Sequence, residues 1–486
     1  MINKSLLTLL VFSLLGAALW YSWQDVKTTA PNTTGLNMRV FGRQILVAGG
    51  TVRLTNGRVL AVRGRTFSLA PCPGVSYRDE PFQLVSVDSP DPFPWTRIPK
   101  GTAVCGTTVA DVLVPASLRI KSADRDLSDD INFEVDPVWG RVLSTSRVGA
   151  DGLQRGEMAA FGDLNPADAH NVHFCQPQNV FLDYTIRQRR LSTLYVDKTG
   201  ILQMCDGVPS RGSPSPPAIP HGAVILANVL VPSFSDWVSR ADIMPVSVAQ
   251  ADPGPDQATA MAIKSALSST AQKLHSGRPL AIDFIGDQAA AIVDSREQGQ
   301  PFFERFLARL RALYPHSSIA CKDYGGRADF SATIFPKYLA ARAQMSRKAD
   351  LVIVAMANDL VLSREQVRQN YYQLAHTLKE EGADLIVCLP LLPAPTIYGL
   401  PKNDWQAVAS LDYYKAIPAL AERLDFAVAD VRRRSLDCCL DGLRPELLLA
   451  DRLYQPNDRG EAIYAEELIG CFSPLEPGVI SCHAPE

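Results

Sequence analysis

The chain has 486 residues, of which 47% are hydrophobic and 20% charged, and its 48 basic and 51 acidic residues leave a net charge of −3. This composition predicts a globular protein of about two to four domains and excludes a wholly disordered chain. Because no basic excess is available to neutralise phosphates, the charge balance gives no electrostatic case for a nucleic-acid partner.

Residues 1–23 predict export from the cytoplasm. Lys4 precedes an apolar run from Leu6 to Trp23, which at about 1.5 Å per residue is long enough to cross the hydrocarbon core of a bilayer. We expect an uncleaved signal anchor that holds the protein to the membrane. A signal peptide cleaved near Gly16-Ala17-Ala18 is the alternative. Either reading places the rest of the chain outside the cytoplasm.

The ten cysteines fit an oxidising compartment, because their number is even and disulfides form there. We expect these pairs: Cys72 with Cys105, Cys175 with Cys205, and the vicinal Cys438 and Cys439 with Cys471 or Cys482. The chain has no CxxC pair, so a thiolate zinc site is not expected. No other metal and no cofactor is expected either.

Residues 35–235 predict a mostly β region, which we divide into two modules at 35–120 and 121–235. Apolar and polar residues alternate from Met38 to about Val62, and Asn56-Gly57 interrupts them. Asn-Gly between alternating runs predicts a hairpin, because a type I′ turn needs positive φ at both central residues.

An internal repeat also lies in this region. The frame I-P-x-G followed by A-[DN]-V-L-V-P occurs at 98–115 and again at 219–232. Each copy predicts a glycine turn followed by a buried strand. The frame resembles β modules of phage tail fibres and of surface carbohydrate-binding proteins. That resemblance implies a role in glycan binding, and a purely architectural role is the alternative.

From about residue 255 the pattern changes to alternating strands and helices. Apolar runs predict strands at 280–285, 351–355, 385–389 and 426–430, and helical spacing predicts helices at 302–313, 363–381 and 411–424. This alternation implies a three-layer α/β domain over 255–475, with a parallel sheet covered on both faces. Ligands of such sheets bind at the carboxyl ends of strands, so the polar residues directly after each strand are the candidates for a site.

Four blocks stand at these positions: Gly286-Asp287-Gln288, the segment 323–327 with Gly326, Asn358-Asp359, and the segment 451–460 with Asp451 and Tyr454. In their order and placement they resemble the SGNH (GDSL-type) hydrolase family over residues 255–475. The resemblance implies action on esters of lipids or acylated sugars, or acyl transfer. It assigns Gly326 and Asn358 to an oxyanion hole and Asp451 to orienting the base.

The catalytic atoms of that family are not retained. Gln288 stands at the nucleophile position, and an amide cannot form an acyl intermediate. Tyr454, or Gln455 if the match is anchored on Pro456, stands at the base position, and a tyrosine of pKa about 10 is not a base near neutral pH. Met356 replaces a glycine of the third block. We therefore expect a degenerate triad.

Three functions follow from this reading. The leading one is an exported, membrane-anchored protein that binds a glycan or an acylated cell-surface polymer, with Asp287 and Asp359 among the binding residues. The second is an active esterase or O-acyltransferase on acylated carbohydrate with an unconventional site. It would use a relocated nucleophile, Ser295 first and Ser331 or Ser363 after it, or a carboxylate such as Asp287. The third is a scaffold in which the α/β domain only mediates assembly. A structural interpretation of Asp287 and Asn358, separate from these functions, is that they only hydrogen-bond the loops that shape the strand ends.

Overall fold

The computed structural model describes residues 24–26, 33–54, 57–84, 99–104, 107–121, 126, 133–136, 141–144, 178–233, 237–246, 262–263, 265–287, 301–324, 330–346 and 348–472. No helix within these ranges is long and apolar enough to cross a membrane. The predicted signal or anchor segment 1–23 lies outside them.

The N-terminal half is built from antiparallel strands. Its strands are β1 (Gln24–Val26), β2 (Thr33–Thr34), β3 (Met38–Phe41), β4 (Gln44–Val47), β5 (Gly50–Arg53), β6 (Val59–Val62), β7 (Arg65–Ser68), β8 (Gly74–Leu84), β9 (Ala103–Val104), β10 (Thr107–Thr108), β11 (Arg119–Lys121), β12 (Phe133–Asp136), β13 (Arg141–Ser144), β14 (Gln178–Arg187), β15 (Arg190–Val196), β16 (Leu202–Asp206), β17 (Val224–Val231) and β18 (Ile243–Pro245). The larger sheets have the strand orders β1-β3-β4-β7, β2-β5-β6, β11-β14-β8 and β16-β15-β17-β18.

The predicted hairpin is confirmed. Strands β5 and β6 pair antiparallel, and Gly57 in their turn has φ +80°, a left-handed value that glycine adopts without steric cost. The division of the β region into two modules stays a prediction. Residue 120 lies inside β11, which pairs with β14, and one hydrophobic core joins residues from Leu36 to Cys72 with residues from Leu194 to Ile243.

The two copies of the repeat fold differently. The second copy forms β17, as predicted. For the first copy the predicted strand is wrong: Ala110 and Asp111 form a turn, and Leu113 makes only an isolated bridge to Ile186. Asp111 has φ +57°, a left-handed value that is incompatible with an extended strand.

The C-terminal half is a three-layer α/β domain, as the sequence predicts. Its strands are β19 (Leu280–Gly286), β20 (Ile319–Asp323), β21 (Leu351–Ala355), β22 (Asp384–Leu389) and β23 (Ala427–Asp430). Its helices are α1 (Ser268–His275), α2 (Phe302–Leu313), α3 (Ser331–Ala343), α4 (Arg364–Glu380), α5 (Trp405–Ala409), α6 (Asp412–Leu424), α7 (Val431–Leu440) and α8 (Asp458–Gly470). Two separate hydrophobic cores cover the two faces of the sheet, one against α2 and α8 and the other against α4 and α6.

The local sequence explains where these helices begin and end. Helix α2 turns Phe302, Phe306 and Leu310 into the core at helical spacing. Helix α4 begins at a capping box in which the side chains of Ser363 and Gln366 each bond the other's backbone N–H. It ends before Gly382, which has φ +74°.

The strand order β20-β19-β21-β22-β23 places the site. All of these strands are parallel. The chain runs outward from β19 to β20 on one side and then crosses to β21 on the other, so the order reverses between β19 and β21. In open parallel sheets a ligand crevice lies outside the carboxyl ends of the strands at this reversal.

The described cysteines form none of the predicted disulfides. These cysteines, which carry no disulfide bond, are Cys72, Cys205, Cys321, Cys388, Cys438, Cys439 and Cys471. Cys105, Cys175 and Cys482 lie outside the described residues. Cys388, Cys438 and Cys471 instead contribute to the apolar core beside α8, where free cysteine behaves as a small hydrophobic residue.

Candidate functional site

Asp287 and Asn358 meet at the point where the strand order reverses. Asp287 follows β19 and Asn358 follows the neighbouring β21. The backbone N–H of Asn358 donates to Oδ2 of Asp287 over 2.5 Å, and the N–H of Asp287 donates to the carbonyl of Ala355 over 3.3 Å. Gly286 permits this approach, because a Cβ there would lie 3.0 Å from the carbonyl oxygen of Ala355. One oxygen of Asp287 therefore shapes the loop, as the structural interpretation of this residue predicts.

The other oxygen of Asp287 is buried and, among the described residues, unpaired. The residue is only 5% exposed, and its Oδ1 has no hydrogen-bond partner within the described part of the chain. Burial raises the pKa of this carboxyl to about 7, although the N–H groups of Asn358 and Ala357 act in the opposite direction. The group thus titrates near neutral pH, and as a carboxylate it is a strong acceptor in a dry environment.

Tyr398 is a residue of this site that the sequence reasoning missed. It ends a 3-10 helix, Pro395–Tyr398, that follows β22. Burial raises the pKa of its phenol, and the negative charge of Asp287 raises that pKa further. The sequence signal for Tyr398 was its place after β22. A loop of proline and leucine residues separates it from the strand, so it was not among the residues that directly follow a strand.

Asp359 lies beneath the crevice and is fully buried. Its carboxylate accepts hydrogen bonds from the N–H of Ser331 over 3.0 Å and from the hydroxyl of Tyr371 over 2.7 Å. Burial raises its pKa. Both oxygens of Asp359 are therefore committed to holding α3 and α4 in place.

Asp451 holds its own loop with one carboxylate oxygen, and its other oxygen, Oδ2, is buried with no hydrogen-bond partner in the described part of the chain. It is fully buried, and its Oδ1 accepts the backbone N–H groups of Leu453, Tyr454 and Gln455 over 2.8, 2.9 and 3.0 Å. Burial raises the pKa of its carboxyl to about 6. The resemblance assigns the carboxylate of Asp451 to orienting a base. In the structure its Oδ1 holds a backbone turn.

Tyr454, at the base position, is half-buried and packs against the apolar cluster of Ala110, Ala394 and Leu453. The described histidines lie elsewhere: His275 and His376 are exposed on helices α1 and α4, and His221 and His316 are in exposed turns. No imidazole is thus placed in the described part of the crevice, and triad catalysis needs a base within about 3 Å of the nucleophile.

The relocated nucleophiles differ in what the structure places beside them. Ser331 is buried, and its Oγ accepts from Nδ2 of Asn370 over 2.8 Å. The Oγ of Ser363 belongs to the capping box of α4. Both hydroxyls thus have structural roles. Gln288, Ser295 and Gly326 lie outside the described residues.

No family model matches the sequence, and no curated protein matches it. Solved structures do match. An acetylxylan esterase from Geobacillus stearothermophilus has 17% identity and a TM-score of 0.34, and the match covers 42% of this chain and 97% of that one. A member of the lipolytic G-D-S-L family from Veillonella parvula has 14% identity and a TM-score of 0.31, with 40% and 96% covered. This chain is similar in structure to GDSL-type proteins over about 40% of its length.

The chemistry open to the described site follows from its polar atoms. Asp287 offers an acceptor oxygen, and no group of three or more His, Cys, Asp or Glu side chains comes together as a metal site among the described residues. An ionised carboxylate only accepts hydrogen bonds. The crevice therefore suits a ligand that brings hydroxyl or amide donors, and it disfavours an anion.

Proposed function

We propose that this protein binds a glycan or an acylated polysaccharide at the carboxyl ends of β19 and β21, without triad catalysis. The observation that carries the proposal is the carboxylate of Asp287, which is buried at the point of strand reversal with Oδ1 unpaired. A buried acceptor left without a partner costs about 1–3 kcal/mol. A sugar hydroxyl that donates to Oδ1 removes that cost. The free energy of ligand binding therefore includes the gain from pairing this buried oxygen.

The rim of the crevice favours an acylated ligand. Val361 is 62% exposed and Ile397 is 37% exposed, and they belong to the 3-10 helices that follow β21 and β22. Both therefore stand at the carboxyl-end edge of the sheet. Exposed apolar side chains beside a buried acceptor match an ester-substituted sugar, which presents a methyl or alkyl group next to its hydroxyls.

The absence of triad catalysis is proposed from the nucleophile and base positions. Gln288 has no ionisable hydroxyl, and Tyr454 is not a base near neutral pH. Enzymes of the serine–histidine type that lose the triad keep only about 10³- to 10⁴-fold acceleration, which comes from the oxyanion hole and binding. What remains at this site is recognition.

The test is a glycan array with the whole chain, in which each acylated glycan is paired with its deacylated form. Wild type and the control Asp425→Asn, an exposed carboxylate, are expected to bind acylated members. Asp287→Asn is expected to bind at least about tenfold more weakly, which corresponds to about 1.4 kcal/mol. Equal binding by Asp287→Asn and wild type, or no binding to any glycan, would refute the proposal.

The second candidate function is an esterase or O-acyltransferase that uses Ser295. The titration of Asp287 near neutral pH favours it, because a general acid or base works best with a pKa close to the operating pH. Turnover of an aryl acetate by the whole chain separates the two candidates. Turnover that Ser295→Ala abolishes would establish the enzyme, whereas turnover at the buffer rate supports recognition alone.

We also propose that the protein acts outside the cytoplasm, held to the membrane by residues 1–23. The apolar run from Leu6 to Trp23 supports this. The measurement is protease accessibility in intact and permeabilised cells, with a deletion of residues 1–23 as the comparison. Protection of the wild-type chain by an intact cytoplasmic membrane would contradict the proposal.

A further inference from the structure

The loop at the base position forms the joint between the two halves of the molecule. Leu449 and Pro456 bridge its ends, and the N–H of Ala450 donates to the carbonyl of Gln455 over 2.6 Å. Arg452 stands in this loop with φ +62°. A left-handed backbone is unfavourable for arginine, because its side chain does not hydrogen-bond the adjacent backbone as that of asparagine or aspartate can. Contacts with the surrounding residues must therefore hold Arg452 in this conformation.

The guanidinium of Arg452 reaches into the β-rich half. The residue is 6% exposed. It donates to the carbonyl of Ala110 over 3.1 Å, to that of Arg211 over 2.6 Å, and to that of Gly212 over 3.1 and 3.3 Å. Backbone carbonyls of two distant segments therefore satisfy this cation.

Further contacts run along the same joint. The N–H of Ala110 donates to the carbonyl of Asp451 over 3.1 Å. The hydroxyl of Ser213 donates to the carbonyl of Glu446 over 2.8 Å and also bonds the carbonyl of Leu449. Gly212 packs so closely that a Cβ there would lie 2.9 Å from the carbonyl oxygen of Ala450.

The joint lies at one end of the crevice. The carbonyl of Leu453 accepts the N–H of Ala394, in the segment that follows β22, over 2.6 Å. Nζ of Lys402 is 3.8 Å from the carboxylate of Asp111 in the β-rich half. The turn at Ala110 and Asp111 thus stands beside the carboxyl end of β22, and Tyr454 packs against Ala110.

We propose that Arg452 is a latch that clamps the β-rich half onto the loop Leu449–Pro456, so that the turn Ala110–Asp111 closes the crevice on its β22 side. The left-handed backbone of Arg452 is unfavourable by itself, and the carbonyls of the β-rich half help to hold it. The same carbonyls replace the water that the guanidinium gives up when the β-rich half is seated. Releasing the guanidinium opens this side of the crevice and leaves the parallel sheet intact. The inference holds whether or not the crevice binds a glycan.

The test is hydrogen exchange of the whole chain in three variants. Arg452→Ala removes the fork, and Arg452→Lys keeps the charge without the fork. Gly212→Ala keeps the guanidinium and instead wedges the joint at a backbone carbonyl that accepts from it. The controls are Arg368→Ala, on the exposed side of α4, and Gly470→Ala, whose Cβ meets nothing within 4 Å.

We expect exchange at residues 109–112 and 450–455 to rise at least tenfold in Arg452→Ala and Gly212→Ala, with β19, β21 and β22 still protected. Arg452→Lys is also expected to raise the exchange at residues 109–112 and 450–455. Both controls are expected to exchange at the wild-type rate. Unchanged exchange at the joint in Arg452→Ala and Gly212→Ala would overturn the proposal. So would a loss of protection spread equally over the sheet, because Arg452 would then support the fold as a whole.

Discussion

Asparagine in place of Asp287 is expected to make the stability of the protein less dependent on pH. In the unfolded chain this carboxyl has a pKa of about 3.9, whereas burial raises its pKa in the folded protein to about 7. Between these values the unfolded state has released the proton and the folded state still holds it. Stability therefore falls as pH rises through this window, by about 1.4 kcal/mol per unit and about 4 kcal/mol in total. Below pH 4 the penalty is absent.

Asp287→Asn removes this penalty and keeps an oxygen that can accept the N–H of Asn358. We expect the variant to match wild type near pH 4 and to exceed it by up to about 4 kcal/mol at pH 8. The assay is urea unfolding at pH steps from 4 to 8, with the slope against urea unchanged between the two proteins. Asp425→Asn is the control, because that carboxylate is 54% exposed and asparagine tolerates its left-handed backbone.

Two results would refute this reasoning. If Asp287→Asn is less stable than wild type at pH 8, the charge of Asp287 stabilises the loop, and its burial is not a cost that a ligand relieves. A difference between the proteins that does not vary with pH would show that the pKa of Asp287 is ordinary. Either result removes the link between the buried carboxylate and a ligand.

Two further predictions concern the base position and the hydrogen bond that supports Asp359. Tyr454→His restores the histidine that the family has at the base position. We expect aryl-acetate turnover to stay at the buffer rate, because Gln288 supplies no nucleophile. Turnover above that rate would contradict the conclusion that the site lacks a nucleophile. Tyr371→Phe deletes the 2.7 Å hydrogen bond to Asp359, and we expect a loss of about 1–3 kcal/mol in urea unfolding with glycan affinity unchanged; an unchanged midpoint would show that Asp359 does not depend on this bond.

The strands of the α/β domain were predictable because most are buried on both faces. Continuous apolar runs mark β19, β21 and β22, and each predicted range agrees with the structure to within one residue. The edge strand β20 was not predicted, because it is half-exposed and carries Lys322 and Asp323. Helix α3 was also missed, since it contains Pro336, a residue that normally argues against a helix interior.

The site was predictable only in part. The rule that parallel strands present ligand residues at their carboxyl ends led to Asp287 and Asn358, which the structure brings into hydrogen-bond contact. The same rule cannot show how a side chain is used. The three N–H groups that occupy Asp451 and the hydroxyl of Tyr371 on Asp359 are properties of the folded loops and helices, and no spacing in the sequence encodes them.

The joint between the halves had no signal in the sequence. Arg452 and Arg211 are 241 positions apart, and the repeat that predicted a strand at Ala110 pointed to the wrong local structure. The turn there is explained by its contact with the carbonyl of Asp451, so a tertiary interaction overrides the strand propensity of the repeat. Contacts of this kind, between residues far apart in the sequence, can be identified only from the folded structure.

The central claim, that the crevice recognises its ligand without a serine nucleophile, is tested most directly by a serine-directed fluorophosphonate and intact-mass spectrometry of the whole chain. The account predicts that the mass remains that of the unmodified protein after prolonged incubation at pH 8. A mass increase of one phosphonyl group, mapped by peptide analysis to Ser295 or to any other serine of residues 255–475, would contradict it.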